Sequence, residues 1–282
     1  MHIAILNMGK TWLFMIVAFA GLFAQGQDFV LVWSDEFNID GAPDPSNWTF
    51  EYGFERNKEL QWYQPQNASC SNGLLVIEAR REQVENPDSI PGSEYWKTNR
   101  RFAEYTSACM KTKGLHNWRY GRFEMRARID VRPGLWPAFW TLGSEGHWPA
   151  NGEIDIMECY RGMLLANIGH ASKKPYKPDW NSVKTPLSDF PEDWADAFHV
   201  WRMDWDEESI RIYVDDRLLN ETALSNTWNP PGHAIGNPFH QPHYILLNLA
   251  IGGNSGGDPS STEFPAHFEV DYVRVYQRIK QR

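Results

Sequence analysis

Three carboxylates stand close together in the otherwise apolar segment EIDIME at residues 153–158. In an ideal β-strand, Glu153 and Asp155 share one face, whereas Glu158 points to the opposite face. A β-bulge at Ile156-Met157 would add one residue to the strand and bring Glu158 onto the face of the other two acids. The spacing therefore predicts a row of three acids along one face of a bulged strand.

Such a row suits the hydrolysis of glycosidic bonds. Carboxylates at close range raise each other's pKa values, so at least one of them keeps its proton near neutral pH. A glycosidase uses one carboxylate to attack the anomeric carbon and a second, protonated carboxyl to protonate the leaving oxygen. A separation of about 5–5.5 Å between these two groups implies retention of configuration. The middle acid, Asp155, can hold the nucleophile in place by a hydrogen bond.

Two other interpretations apply to three acids on a strand. They can form a solvated acidic face, or they can ligate a metal. The apolar residues between the acids and the preceding Trp148-Pro149 favour a strand that has one face in a groove. A metal site would favour oxygen ligands on flexible loops over a stiff strand. We therefore interpret residues 153–158 as a catalytic segment.

Short segments with strand periodicity dominate the rest of the chain. Residues 121–129 place polar side chains at even positions and mostly apolar ones at odd positions, which is the pattern of a strand with one buried face. Strands are predicted at residues 74–79, 120–129, 198–205, 209–214, 244–251 and 268–276. Loops rich in Pro, Gly and Asn are predicted at residues 85–99, 173–193 and 226–243. The pattern, with a single helical turn within 192–197, predicts one all-β domain, a sandwich of two antiparallel sheets.

The N-terminus has the layout of a signal peptide. One lysine, Lys10, precedes an apolar run at residues 12–23 that is short for a membrane span, and Ala24-Gln25-Gly26 offers small residues before a cleavage point. We predict a signal peptide over residues 1–26, a catalytic domain over 27–282 and export to the periplasm, the cell surface or the medium. No membrane span is expected after cleavage.

Composition restricts the partners of the mature chain. The formal net charge of −9 argues against nucleic acid as a partner. The 14 Trp residues suit stacking against the apolar faces of sugar rings. We expect a monomer that binds a polysaccharide or oligosaccharide and needs no cofactor for catalysis. Cys70, Cys109 and Cys159 can supply one disulfide or three buried thiols.

The catalytic segment resembles the signature of glycoside hydrolase family 16 in its bulged, laminarinase-like form. The resemblance extends over nearly the whole mature chain, in the order of the family. The matching segments are residues 33–37 (WSDEF), 57–63 (NKELQWY), 120–124 (YGRFE), 134–140 (GLWPAFW) and 270–276 (VDYVRVY).

The resemblance implies a β-jelly-roll sandwich with a concave groove that the catalytic strand crosses. By position, it makes Glu153 the nucleophile, Asp155 its supporting acid and Glu158 the acid/base. It also assigns substrate-binding residues to the groove. These are Trp136 and Trp140 as donor-side stacking residues, Asn57 as a donor-side hydrogen-bonding residue, His170 on the leaving-group side, and Trp148 and Arg101 as further contacts. Glu36 and Asp271 would ligate a structural Ca²⁺, or else form surface charges or a cross-strand pair.

The motif does not encode the substrate, because groove loops decide which sugar and linkage bind. The bulged form and residues 57–63 indicate a β-1,3-glucan or a mixed-linkage β-1,3/1,4-glucan. Asn167-Ile168-Gly169-His170-Ala171 departs from the Thr-x-His pattern of laminarinases, so an endo-β-1,4-galactosidase that acts on galactan or poly-N-acetyllactosamine of mucin O-glycans is an alternative. A non-catalytic carbohydrate-binding module is another alternative, but it has no use for three mutually repelling acids.

Overall fold

Two antiparallel β-sheets face each other in the computed structural model, which describes residues 29–279. The predicted signal peptide at residues 1–26 lies outside the described residues. Strands are numbered here in chain order. The first sheet has eight strands: β1 (Phe29–Asp35), β4 (Ala68–Ser71), β5 (Leu74–Ala79), β10 (Gly121–Arg128), β15 (His199–Trp205), β16 (Ser209–Val214), β17 (Arg217–Ala223) and β19 (Ala266–Arg278).

The second sheet has seven strands and carries the catalytic segment. Its members, in spatial order, are β14 (Pro178–Pro186), β13 (Met163–Ala171), β12 (Glu153–Tyr160), β11 (Leu135–Gly143), β18 (His243–Ile251), β9 (Cys109–Lys111) and β2 (Thr49–Phe50). Two short ribbons flank the sheets, formed by β3 (Gln61–Tyr63) with β8 (Tyr105–Ser107) and by β6 (Val84–Glu85) with β7 (Phe102–Ala103). The two-sheet all-β sandwich predicted from the sequence is confirmed.

Helical structure is sparse in the described part of the chain. Its elements are the four-residue helix α1 (Gly253–Gly256) and the 3-10 turns Pro65–Asn67, Leu187–Asp189, Trp194–Asp196, Leu224–Asn226 and Pro238–His240. The turn at Trp194–Asp196 lies within the predicted helical turn. No helix of the described residues is long and apolar enough to cross a membrane.

Alternation of side chains along the strands builds the core between the sheets. In β10 the odd positions, among them Phe123 and Met125, are fully buried, while the even positions are partly exposed. Phe139 and Leu247 of the second sheet belong to the same buried cluster. Burial of such side chains contributes roughly 1.5–3 kcal/mol each. The core thus fixes which face of each strand of the second sheet remains for the groove.

The β-bulge predicted at Ile156-Met157 is confirmed. Pairing with β13 jumps from Asp155–Asn167 to Glu158–Leu165, so β12 has one more residue than its partner in this interval. Both Ile156 and Met157 are buried in the inter-sheet core. The extra residue therefore restores the face of Glu158 without exposing an apolar side chain.

One predicted loop is wrong. The interval 173–193 contains the nine-residue strand β14, which pairs along its whole length with β13. It is an edge strand whose residues are mostly exposed, and it begins and ends with proline. Such a strand lacks the alternation of buried and exposed residues on which strand prediction depends. The three cysteines are buried free thiols.

Candidate active site

A groove of about 680 Å³ lies on the face of the seven-stranded sheet that points away from the inter-sheet core. This volume suits a ligand of a few sugar rings. The three acids of β12 form part of its wall. The other lining residues are Arg56, Asn57, Trp136, Trp140, Leu142, Trp148, Tyr160, Leu165, Asn167, Trp180, Ser182, Lys184 and Ser255.

Cross-strand pairing places the acids in three rows across the sheet. In the first row, Glu153 lies between Leu142 of β11 and Gly169 of β13. In the second, Asp155 lies between Trp140 and Asn167. In the third, Glu158 lies between Ala138 and Leu165. The three predicted acids therefore share one face of β12 and open into one groove.

Two indole N–H groups hold the outer acids. Trp148 Nε1 donates a hydrogen bond to Glu153 Oε2 at 2.5 Å. Trp136 Nε1 donates to Glu158 Oε1 at 2.7 Å. Because an indole N–H can only donate, each contact fixes a carboxyl oxygen as an acceptor. The aromatic residues thus orient the acids as well as line the groove.

An asparagine links the middle and last acids. Asn167 Nδ2 donates to Asp155 Oδ2 at 3.0 Å and to Glu158 Oε2 at 2.8 Å. Its Oδ1 accepts a hydrogen bond from Ser182 Oγ of β14. This chain of contacts sets the side-chain amide orientation, so that both amide protons face carboxyl oxygens.

Burial raises the pKa values of all three acids, and the charges of other acids in the row add to this effect for Glu153 and Asp155. Burial and the charge of Glu158 raise the pKa of Glu153 to about 7. Burial and the charges of its two neighbours raise the pKa of Asp155 well above its usual value, and burial raises the pKa of Glu158. The row therefore holds at least one proton near neutral pH, as general acid catalysis requires.

The predicted groove residues on β11 and its neighbouring loops lie in the groove. They are Trp136, Trp140, Trp148 and Asn57. Trp140 Nε1 donates to Asn248 Oδ1 at 2.8 Å, which fixes the ring of a residue that is only 6% exposed. Trp148 is 45% exposed and lies beside Glu153.

Arg101 and His170 are not among the residues that line this groove. Arg101 is an exposed side chain that forms an ion pair with Glu85 at 3.7 Å. His170 is buried, and its Nδ1 lies 3.1 Å from the carbonyl oxygen of Ala171. Side chains alternate along a strand, so His170 points to the face opposite Asn167, three positions earlier. Burial lowers the pKa of His170, consistent with a structural role.

The carboxylates of Glu36 and Asp271 are engaged by arginines. Arg274 donates to both oxygens of Glu36 at 2.9 and 2.8 Å, and Arg126 Nη1 donates to Asp271 Oδ2 at 2.5 Å. Among residues 29–279, no cluster of three or more His, Cys, Asp or Glu side chains could hold a metal ion. A structural Ca²⁺ at these two side chains stays a prediction.

Sequence reasoning did not identify several groove residues. Arg56 lies over the Trp140 ring, 5.1 Å from its centroid, and forms an ion pair with Glu51. Asn167 is recognisable only once its pairing opposite Asp155 is known. Trp180, Ser182 and Lys184 belong to β14, the strand that was predicted as a loop. The spacing of three alternate residues at 180, 182 and 184 is the one signal that could have placed them together.

Comparison with known proteins agrees with this geometry. The model of glycosyl hydrolases family 16 matches residues 55–274. A glucan endo-1,3-β-glucosidase of Cryptopygus antarcticus is 39% identical over 284 residues, covering 93% of this chain and 96% of that protein.

Two solved structures match most of the chain. The laminarinase catalytic domain of Thermotoga maritima matches with a TM-score of 0.74 and 34% identity, covering 89% of this chain and 99% of that one. A structure from work on endo-acting O-glycanases with which human gut bacteria initiate mucin breakdown matches with a TM-score of 0.81 and 33% identity, covering 90% and 92%. Together with the match of the family model to most of its length, these similarities establish that the chain is a glycoside hydrolase and belongs to glycosyl hydrolases family 16.

Proposed function

We propose that this enzyme is an exported, retaining endo-β-glucanase that cleaves β-1,3-glucan or mixed-linkage β-1,3/1,4-glucan. The observation that carries the proposal is the row of three acids on one face of the bulged strand, open to one groove. Similarity to a glucan endo-1,3-β-glucosidase and to a laminarinase supports the choice of substrate. The apolar N-terminal segment supports export.

In the first step, a carboxylate oxygen of Glu153 attacks the anomeric carbon and forms the glycosyl-enzyme bond. The bond from that carbon to the glycosidic oxygen breaks as Glu158 gives its proton to the leaving sugar. Asp155, which keeps its proton, hydrogen-bonds the nucleophile. Trp148 and Trp136 hold the two glutamates in position through their N–H groups.

In the second step, a water molecule gives a proton to Glu158, and its oxygen displaces Glu153 from the anomeric carbon. Two inversions leave the β-configuration unchanged. The same intermediate can pass its sugar to an acceptor hydroxyl, so transglycosylation accompanies hydrolysis when acceptors are concentrated.

Variants of the two glutamates test these roles. Glu153→Gln and Glu158→Gln are each expected to abolish hydrolysis of laminarin without unfolding the protein, as checked by product analysis and thermal melting. Azide added to Glu158→Ala, with an activated aryl glycoside, should restore turnover and give a β-glycosyl azide. Substantial activity of either Gln variant, or an α-azide product, would show that the roles are wrong.

A second candidate substrate is a β-1,4-linked galactoside of mucin-type glycans. The structural match from the work on endo-acting O-glycanases has a TM-score of 0.81, compared with 0.74 for the laminarinase. Product profiles of residues 27–282 on laminarin, mixed-linkage glucan, agarose, porphyran, carrageenan and keratan-type or mucin O-glycans distinguish the two. Oligosaccharides from the glucans alone support the glucanase, and products only from galactose-containing glycans support the endo-β-galactosidase.

A further inference from the structure

A tryptophan of the edge strand lies in the groove on the side opposite the predicted donor-side residues. Trp180 of β14 lines the groove and is 40% exposed. Trp136 and Trp140 belong to β11, on one side of the catalytic strand, whereas β13 and β14 lie on the other side. The acids thus separate two aromatic regions of the groove.

The absence of a side chain at Gly169 brings Trp180 next to the nucleophile. Gly169 pairs with Glu153 on one side and with Trp180 on the other. A Cβ added to Gly169 would lie 2.5 Å from Cζ3 and 2.8 Å from Cε3 of the Trp180 ring. The indole therefore occupies the space above β13 that a side chain would fill. Neighbouring strands are about 4.8 Å apart, so this space adjoins the row of acids directly.

We propose that Trp180 is the stacking platform for the leaving-group sugar and that Gly169 makes room for it. The inference rests on the proposed function, since it uses the same groove and the same bond cleavage. The donor sugar whose anomeric carbon reacts must lie over β12, where Glu153 and Glu158 reach it. The next sugar on the side of β13 meets the exposed part of the indole.

This position selects the acceptor-side sugar by the shape and polarity of its ring. A pyranose ring with several C–H groups on one face can stack on the indole, while its hydroxyls stay free for hydrogen bonds. Ser182 and Lys184 follow Trp180 on the same groove-facing side of β14 and supply polar contacts at the edge of the ring. A leaving group without a sugar ring makes no use of the platform.

The test compares substrates with and without a leaving-group sugar. The first pair is laminarihexaose and β-laminaribiosyl fluoride. The second pair serves the alternative substrate and consists of a poly-N-acetyllactosamine hexasaccharide and the β-fluoride of its N-acetylglucosaminyl-galactose unit. A fluoride substrate fills only the donor side, so its turnover reports the acids and donor subsites alone. The pair that the wild-type enzyme turns over is used for the variants.

Trp180→Ala should lower kcat/KM for the hexasaccharide by roughly tenfold and leave kcat/KM for the glycosyl fluoride within about twofold of wild type. Trp180→Phe, which keeps an aromatic face, should recover much of the loss. Gly169→Ala should reproduce part of it, because its new Cβ displaces the indole.

Trp228→Ala is the matched control, since Trp228 is 57% exposed and does not line the groove. Trp228→Ala should leave kcat/KM unchanged for both the hexasaccharide and the glycosyl fluoride. Equal losses on both substrates in Trp180→Ala, or wild-type activity on the hexasaccharide, would overturn the inference. Turnover of either substrate pair by the wild-type enzyme tests the proposed function. The effect of Trp180→Ala on the hexasaccharide relative to the fluoride tests the role of Trp180 separately.

Discussion

At the scale of single residues, the site depends on acids that burial keeps from ionising together. The three carboxyls share one face of β12, and each accepts a hydrogen bond from a fixed N–H donor: Trp148, Asn167 or Trp136. Burial disfavours their charged forms, and the charge of Glu158 further raises the pKa values of Glu153 and Asp155. Within such a row a protonated and an ionised carboxyl can be present at the same pH, as the proposed acid and nucleophile require.

Removing the charge of Glu158 should make Glu153, the proposed nucleophile, more acidic. After burial, this charge is the largest factor that raises the pKa of Glu153 to about 7. In Glu158→Gln, the acidic limb of the profile of kcat/KM against pH should therefore move to lower pH, by about one unit. The assay uses a 2,4-dinitrophenyl β-glycoside, whose leaving group needs no proton.

The control for this shift is Glu207→Gln, which removes an exposed carboxylate outside the groove. It should leave the limb in place. An acidic limb that stays fixed or rises in Glu158→Gln would mean that Glu158 does not repel the charge on Glu153.

At the scale of elements, the bulge and the edge strand shape the groove. The bulge in β12 sends Ile156 and Met157 into the core while Glu158 returns to the groove face. The edge strand β14 adds Trp180, Ser182 and Lys184 to the wall. The bulge therefore serves both the core and the site, whereas the mostly exposed edge strand serves the site more than the core.

Changing the length of the bulged segment should separate activity from stability. Deleting Met157 leaves the three acids at alternate positions of a regular strand, so all of them still face the groove. Detectable hydrolysis of laminarin should remain, with a lower Tm because a buried Met is worth about 2–5 kcal/mol.

An alanine inserted between Met157 and Glu158 is the counterpart of this deletion. It turns Glu158 toward the core and should reduce kcat/KM by roughly a hundredfold or more. Activity in the insertion variant combined with none in the deletion variant would contradict the assignment of faces. Thermal melting of both proteins shows whether they fold.

At the scale of the whole molecule, the sandwich holds the acids in a state that costs stability. The folded protein raises the pKa of Asp155 above its unfolded value, so the native state binds more protons than the unfolded chain once the pH exceeds the unfolded pKa. The free energy of unfolding then falls as pH rises. The two packed sheets must supply enough burial to offset this loss.

Asp155→Asn should remove the contribution of Asp155 to that dependence. The amide carries no charge, and its oxygen can still accept the hydrogen bond from Asn167. The variant should therefore exceed the wild-type Tm by several degrees at pH 8 and by little or nothing at pH 4. Melting curves across this range check the expectation. Asp216→Asn, at an exposed turn position, serves as the control, and an advantage of Asp155→Asn that shrinks with rising pH would be inconsistent with the linkage.

The sequence by itself determined the features that depend on local periodicity. Alternation in segments such as β10 and β19 predicted the sandwich, and the spacing of Glu153, Asp155 and Glu158 predicted the bulge and the shared face. These patterns can be recognised because each strand buries one face, so apolar and polar residues alternate along its sequence.

The tertiary structure alone decided which distant residues meet the acids. Strand register placed Asn167 opposite Asp155 and His170 on the other face of β13, and Arg101 forms an ion pair with Glu85 and does not line the groove. The edge strand β14 escaped prediction because its mostly exposed residues carry no period of burial. Contacts between strands depend on pairing between residues that are far apart in the chain, and a local sequence pattern does not predict this pairing. Trp180 was therefore identified as a groove residue only from the complete sheet.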